Sequence, residues 1–121
     1  MQYVRKHKIK NPVIGILGVS YKKNVDDARE TPASAIIEAL RKEKLSFLVH
    51  DPYVKAFSTL LSPLNEVLAK ADALLLITDH DEYAKLVLPK RSPVKFIYDT
   101  RNVLPHTFNV PVYTLGNAKN I

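Results

Sequence analysis

A chain of 121 residues with 46% hydrophobic and 25% charged side chains has the size and balance of one soluble globular domain. It has no apolar run approaching the roughly 20 residues of a membrane helix, and no cysteine for a disulfide framework or a thiol nucleophile. The net charge of +6 gathers at Arg5, Lys6, Lys8 and Lys10 and again at Lys90, Arg91 and Lys95, without interleaved aromatics or a basic helix stripe, which argues against nucleic acid.

Residues 1–11 are polar and basic and end at Asn11-Pro12, so they read as a lead-in or the tail of a preceding segment, with the domain itself over 12–121. No apolar run and small-residue cleavage site follow the N-terminal charges, so no signal peptide is expected and the expected compartment is the cytoplasm. Val13-Ile14-Gly15-Ile16-Leu17-Gly18 has the short apolar, partly β-branched pattern of a strand buried on both faces. Thr31-Pro32 opens a helix, with Thr as cap and Pro at the first position, and Ala33, Ile36, Ile37 and Leu40 make its apolar face. Ser46–Val49 is a second strand, stopped by Asp51-Pro52. A short helix over Leu64–Lys70, a strand over Ala73–Ile77, a short helix over Glu82–Leu88, and strands over Lys95–Asp99 and Val112–Leu115 complete the order.

Strands alternating with helical patterns predict a single α/β domain: a doubly wound, mostly parallel, Rossmann-like sheet with helices on both faces. Ligands of such sheets sit at the carboxyl ends of the strands, where strand order reverses. The loop after Gly18, the Asp79-His80 turn and Asp99-Thr100-Arg101 should converge there. Gly15 and Gly18 form a bare GxxG, which lacks the GxGxxG dinucleotide fingerprint, so no self-contained NAD site is expected. The connection from Val19 to Glu30 is long for a strand-to-helix loop and dense in charge, which suggests function.

That loop carries a resemblance. Gly18-Val19-Ser20-Tyr21-Lys22-Lys23, followed by Asp26-Asp27-Ala28-Arg29-Glu30-Thr31-Pro32, resembles the opening of the C-terminal domain of UDP-glucose/GDP-mannose dehydrogenases. Asp51-Pro52-Tyr53, Thr78-Asp79-His80 with Glu82-Tyr83, and Asp99-Thr100-Arg101-Asn102 resemble later family segments in the same order, over roughly residues 12–104. Thr31 stands where Ser is commoner in the family and keeps the capping hydroxyl. The resemblance implies the UDP-binding part of an NAD-dependent UDP-sugar 6-dehydrogenase, which oxidises a sugar C6 alcohol to a carboxylate in polysaccharide biosynthesis. The wording of the loop is nearest the branch acting on UDP-N-acetylhexosamines such as UDP-N-acetylmannosamine. By position, Tyr21, Lys22 and Arg101 match substrate contacts, and Arg29 matches a contact to NAD across the cleft. The family's N-terminal NAD-binding domain, catalytic Cys and central dimerisation segment are not in this sequence. The chain alone is therefore not expected to produce NADH, whereas a full-length enzyme is expected to be a homo-oligomer.

Plainer readings stand beside these. Arg29 has Asp26 and Asp27 as alternative partners, and those two acids suit loop bracing better than metal binding or acid/base chemistry. Asp51-Pro52 reads as turn chemistry, and His80 as a helix-capping or supporting residue. His7, His50, His80 and His106 show no metal-ligand spacing. A stand-alone nucleotide-binding module that regulates or scaffolds another protein is the alternative function. A receiver-like domain is disfavoured because glycines stand where its acids would cluster.

Overall fold

Five apolar segments form strands in a computed structural model of the chain, which describes residues 10–28, 31–55, 57–102, 104 and 108–114. They are β1 (Val13–Leu17), β2 (Ser46–His50), β3 (Ala73–Leu76), β4 (Phe96–Asp99) and β5 (Val112–Thr114). Every pairing is parallel, in the order β2-β1-β3-β4-β5. The expected class is borne out, with a sheet wholly rather than mostly parallel. Residues 1–9 of the expected lead-in over 1–11, and the predicted strand residue Leu115, lie outside the described residues.

Two helices cover opposite faces. In α1 (Pro32–Lys42) the Thr31 side chain accepts a hydrogen bond from the Ala33 N–H at 3.2 Å, Pro32 stands at the first position, and Arg41 and Lys42 complement the dipole in the last turn. Its buried residues Ala33, Ile37 and Leu40 pack with Ile14, Ile16, Val49 and Phe96. In α2 (Leu64–Lys70), Val67 and Leu68 pack with Leu17, Leu74, Leu76 and Ile97. The alternation of Ile14 and Ile16 against Leu17 assigns each strand residue to one layer, as the pleat requires. Gly15 lets α2 pack closely on the sheet: a Cβ there would lie 2.6 Å from Val67 Cγ1 and 2.7 Å from Leu74 Cδ2.

The predicted helix over Glu82–Leu88 is instead a single 3₁₀ turn, Asp81–Lys85. Only Tyr83 and Leu86 are buried in this stretch, and their spacing of three suits a three-residue turn rather than an amphipathic helix. Among the described residues no helix is long and apolar enough to cross a membrane.

From β1 the chain passes through α1 to β2 on one side, and from β2 through α2 to β3 on the other. The order therefore reverses at β1. The crevice of a doubly wound sheet opens outside the carboxyl ends of β1 and β3.

Candidate functional site

The loop leaving β1 is held by side chains from the ends of β2 and β3. Gly18 turns the chain with φ +92°, and a Cβ there would lie 2.8 Å from the Thr78 nitrogen and 2.9 Å from its carbonyl oxygen. The Val19 and Ser20 N–H groups donate to Asp51 Oδ2 at 2.8 and 3.1 Å. Thr78 Oγ1 donates to the Ser20 carbonyl at 2.9 Å. Asn24, at φ +61°, donates its backbone N–H to His80 Nδ1 at 2.7 Å and exchanges two further bonds with Asp81 through its amide side chain. Between the fixed residues Ser20 and Asn24 stand Tyr21, Lys22 and Lys23, all exposed. The result is a three-residue tip on a rigid base.

Asp51 is the centre of that base. Its Oδ2 also accepts from His80 Nε2 at 2.8 Å, and its Oδ1 accepts from the Tyr53 and Val54 N–H groups at 2.8 and 2.9 Å. Burial alone would raise this carboxyl. The His80 bond and the backbone donors of Val54, Val19 and Tyr53 outweigh it and pull the pKa from 3.8 down to about 2. Neighbouring His50 is lowered by burial, against the attraction of Asp51. The turn reading of Asp51-Pro52 thus covers only Oδ1; the other oxygen braces a loop 32 residues earlier in the chain. His80 occupies the capping position of the 3₁₀ turn, but its side chain makes no capping bond there.

Asp99 does for β4 what Asp51 does for β2. Its Oδ1 accepts from the Arg101 and Asn102 N–H groups at 3.0 and 2.8 Å, and its Oδ2 from Leu104 N–H at 2.8 Å. The turn so formed brings Arg101 back over the end of β3, where its Nε donates to the Ile77 carbonyl at 3.0 Å. Ile77 in turn donates its N–H to Leu17 of β1 at 2.9 Å. Arg101 and the Tyr21–Lys23 tip therefore share one rim, with the end of β3 between them. Arg101 is exposed beyond its tether. Tyr21, at 57% exposure, is not a core residue. Arg29 lies outside the described residues, as do His7 and His106. Among the described residues, no group of three acids and histidines is arranged to hold a metal.

An apolar cavity of about 450 Å³ lies elsewhere, on the α1 face over β3 and β4, lined by Ile14, Ile36, Leu40, Phe96 and Tyr98 among others. Among the described residues its only charged lining group is Glu43, so it does not suit an anion. Neither Lys22 nor Arg101 lines it. Sequence reasoning missed the buried Ser20–Asp51–His80 cluster. The available signal was that all three residues stand just past strand ends that the parallel topology places side by side.

Residues 15–106 match the description of the UDP-glucose/GDP-mannose dehydrogenase family's UDP binding domain. The chain is 36% identical over 122 residues to UDP-N-acetyl-D-mannosamine dehydrogenase of Methanococcus aeolicus, an alignment covering 91% of this chain and 27% of that protein. Its fold is similar to that of the UDP-N-acetyl-mannosamine dehydrogenase Cap5O from Staphylococcus aureus, with TM-score 0.82, 29% identity, and coverage of 98% of this chain and 29% of the other. It is similarly close to the UDP-D-ManNAc dehydrogenase of Pyrococcus horikoshii, at TM-score 0.82 and 29% identity over 95% of this chain and 28% of the other. The chain thus spans little more than a quarter of the relatives it matches.

Proposed function

This chain belongs to the UDP-glucose/GDP-mannose dehydrogenase family as its UDP-binding domain, and from that premise we propose that its carboxyl rim holds the diphosphate of a UDP-sugar. Lys22 supplies a point charge from the tip of the β1 loop, and Arg101 supplies a planar fork from the end of β4. The observation that carries this reading is the Arg101 tether to Ile77, which sets a permanent cation at the topological switch point beside the rigid loop tip. Tyr21 adds a further substrate contact. Arg29 reaches NAD from across a cleft formed with the rest of a longer protein. The activity of the whole is oxidation of a UDP-sugar at C6, and the names borne by the relatives favour a UDP-N-acetylhexosamine. The catalytic Cys, the NAD domain and the dimerisation segment belong to the length this chain does not span.

Charge-assisted bonds contribute about 1.5–3 kcal/mol each, so two or three of them barely exceed the entropy of docking a ligand. UDP should therefore bind the isolated chain with a Kd on the order of 0.1 mM or weaker. Lys22→Ala and Arg101→Ala should each weaken binding about 10-fold or more. An NMR or calorimetric titration checks this. Nanomolar affinity, no binding at any soluble concentration, or a double variant that binds like the parent would contradict the reading.

A further inference from the structure

His80 is fully buried, and both ring nitrogens are engaged. A backbone N–H only donates, so the 2.7 Å contact from Asn24 requires Nδ1 to be an unprotonated acceptor. The ring proton must then lie on Nε2, directed at Asp51 Oδ2 at 2.8 Å. Ser20 Oγ stands 3.1 Å from the same nitrogen. Its own hydrogen goes to the Lys22 carbonyl at 2.6 Å, so a lone pair is left facing Nε2–H. One imidazole thus grips both ends of the Tyr21–Lys23 tip, Asn24 through Nδ1 and Ser20 through Nε2. Asp51 and Thr78 already hold the Ser20 end by other bonds. The Asn24 backbone N–H has His80 as its acceptor, with the Asn24 side chain tied separately to Asp81.

We propose that His80, as the neutral Nε2–H tautomer, is the positioning residue for the Lys22-bearing loop, setting affinity for the nucleoside diphosphate without touching it. The inference rests on the diphosphate reading of the rim. It divides the imidazole into two separable halves: Nδ1 fixes the tip, and Nε2 joins Asp51 in the base.

Two variants of the 121-residue chain separate the halves, because an Asn side-chain oxygen falls near the place of Nδ1 and a Gln side-chain nitrogen near that of Nε2. His80→Asn keeps an acceptor for Asn24 and should bind UDP within about 3-fold of the parent. His80→Gln keeps the Asp51 bond but frees Asn24, and should bind UDP about 10-fold more weakly, the worth of one such bond. Exchange of the Asn24 amide hydrogen should accelerate in His80→Gln and not in His80→Asn. The ¹⁵N shifts of the parent should show an unprotonated Nδ1. Equal affinities in all three chains, a loss in His80→Asn as large as in His80→Gln, or a protonated Nδ1 would overturn the proposal. If the parent does not bind UDP, the nucleotide reading fails, and unchanged Asn24 exchange in His80→Gln would separately remove the positioning role. If His80→Gln does not fold, the tautomer of the parent and the affinity of His80→Asn decide.

Discussion

Replacing Asp51 with alanine is expected to lower stability by about 3–5 kcal/mol, the cost of breaking a buried, multiply bonded charge. That is a large part of the 5–15 kcal/mol available to a typical domain. The substitution strands four backbone N–H groups, from Val19, Ser20, Tyr53 and Val54, together with the His80 Nε2–H. Asparagine should not rescue it. Donors face both carboxylate oxygens, so an amide NH₂ placed at either one opposes another donor. Urea unfolding of the two variants checks this, and a loss under about 1 kcal/mol in either would contradict it. The same carboxylate gives an acid limb. Its pKa is depressed on folding, so its stabilisation is complete above about pH 4 and is lost as pH falls toward about 2. The depression from 3.8 to about 2 corresponds to about 2 kcal/mol. His50 acts in the same direction at higher pH: its pKa is lowered by burial, so stability begins to fall as pH drops below 6.5.

Gly18→Ala is expected to cost about 2–4 kcal/mol, combining a left-handed backbone with an overpacked contact. The added carbon would lie 2.5 Å from Thr78 Cβ and 2.8 Å from the Thr78 nitrogen, and backbone at the end of the central strand cannot give way. Gly15→Ala should cost less. Its backbone φ is not positive, and its nearest neighbours, Val67 Cγ1, Leu74 Cδ2 and Ala71 Cβ, are side-chain rather than backbone atoms. Thermal unfolding ranks the pair, and a Gly15 variant less stable than the Gly18 variant would contradict the assignment. The two glycines of the GxxG therefore serve packing, one between layers and one at the strand exit.

The strands were legible because fully buried parallel strands are short apolar runs bounded by turn residues, as in Val13–Leu17 and Ala73–Leu76. The first helix was legible because Thr31-Pro32 and the spacing of Ala33, Ile37 and Leu40 all point to the same start and face. The 3₁₀ turn was not, because charged residues around a single buried Tyr83 look like a helix until its packing is known. The rim could be located from topology alone, yet the role of His80 could not. It depends on Ser20, Asp51 and Asn24 meeting the ring, and those residues are brought to it only by the strand order. The substrate roles of Lys22 and Arg101 came from family resemblance; the tether that holds Arg101 over the end of β3 became visible only in the fold.

The most direct test is to follow every backbone amide of the ¹⁵N-labelled chain as UDP is added. The largest shifts should fall at Ser20–Asn24 and Thr100–Asn102, with the amides of Ile36, Leu40 and Phe96 around the apolar cavity little changed. Shifts centred on that cavity, or spread without focus at saturating UDP, would show that the strand-end cations do not hold the nucleotide.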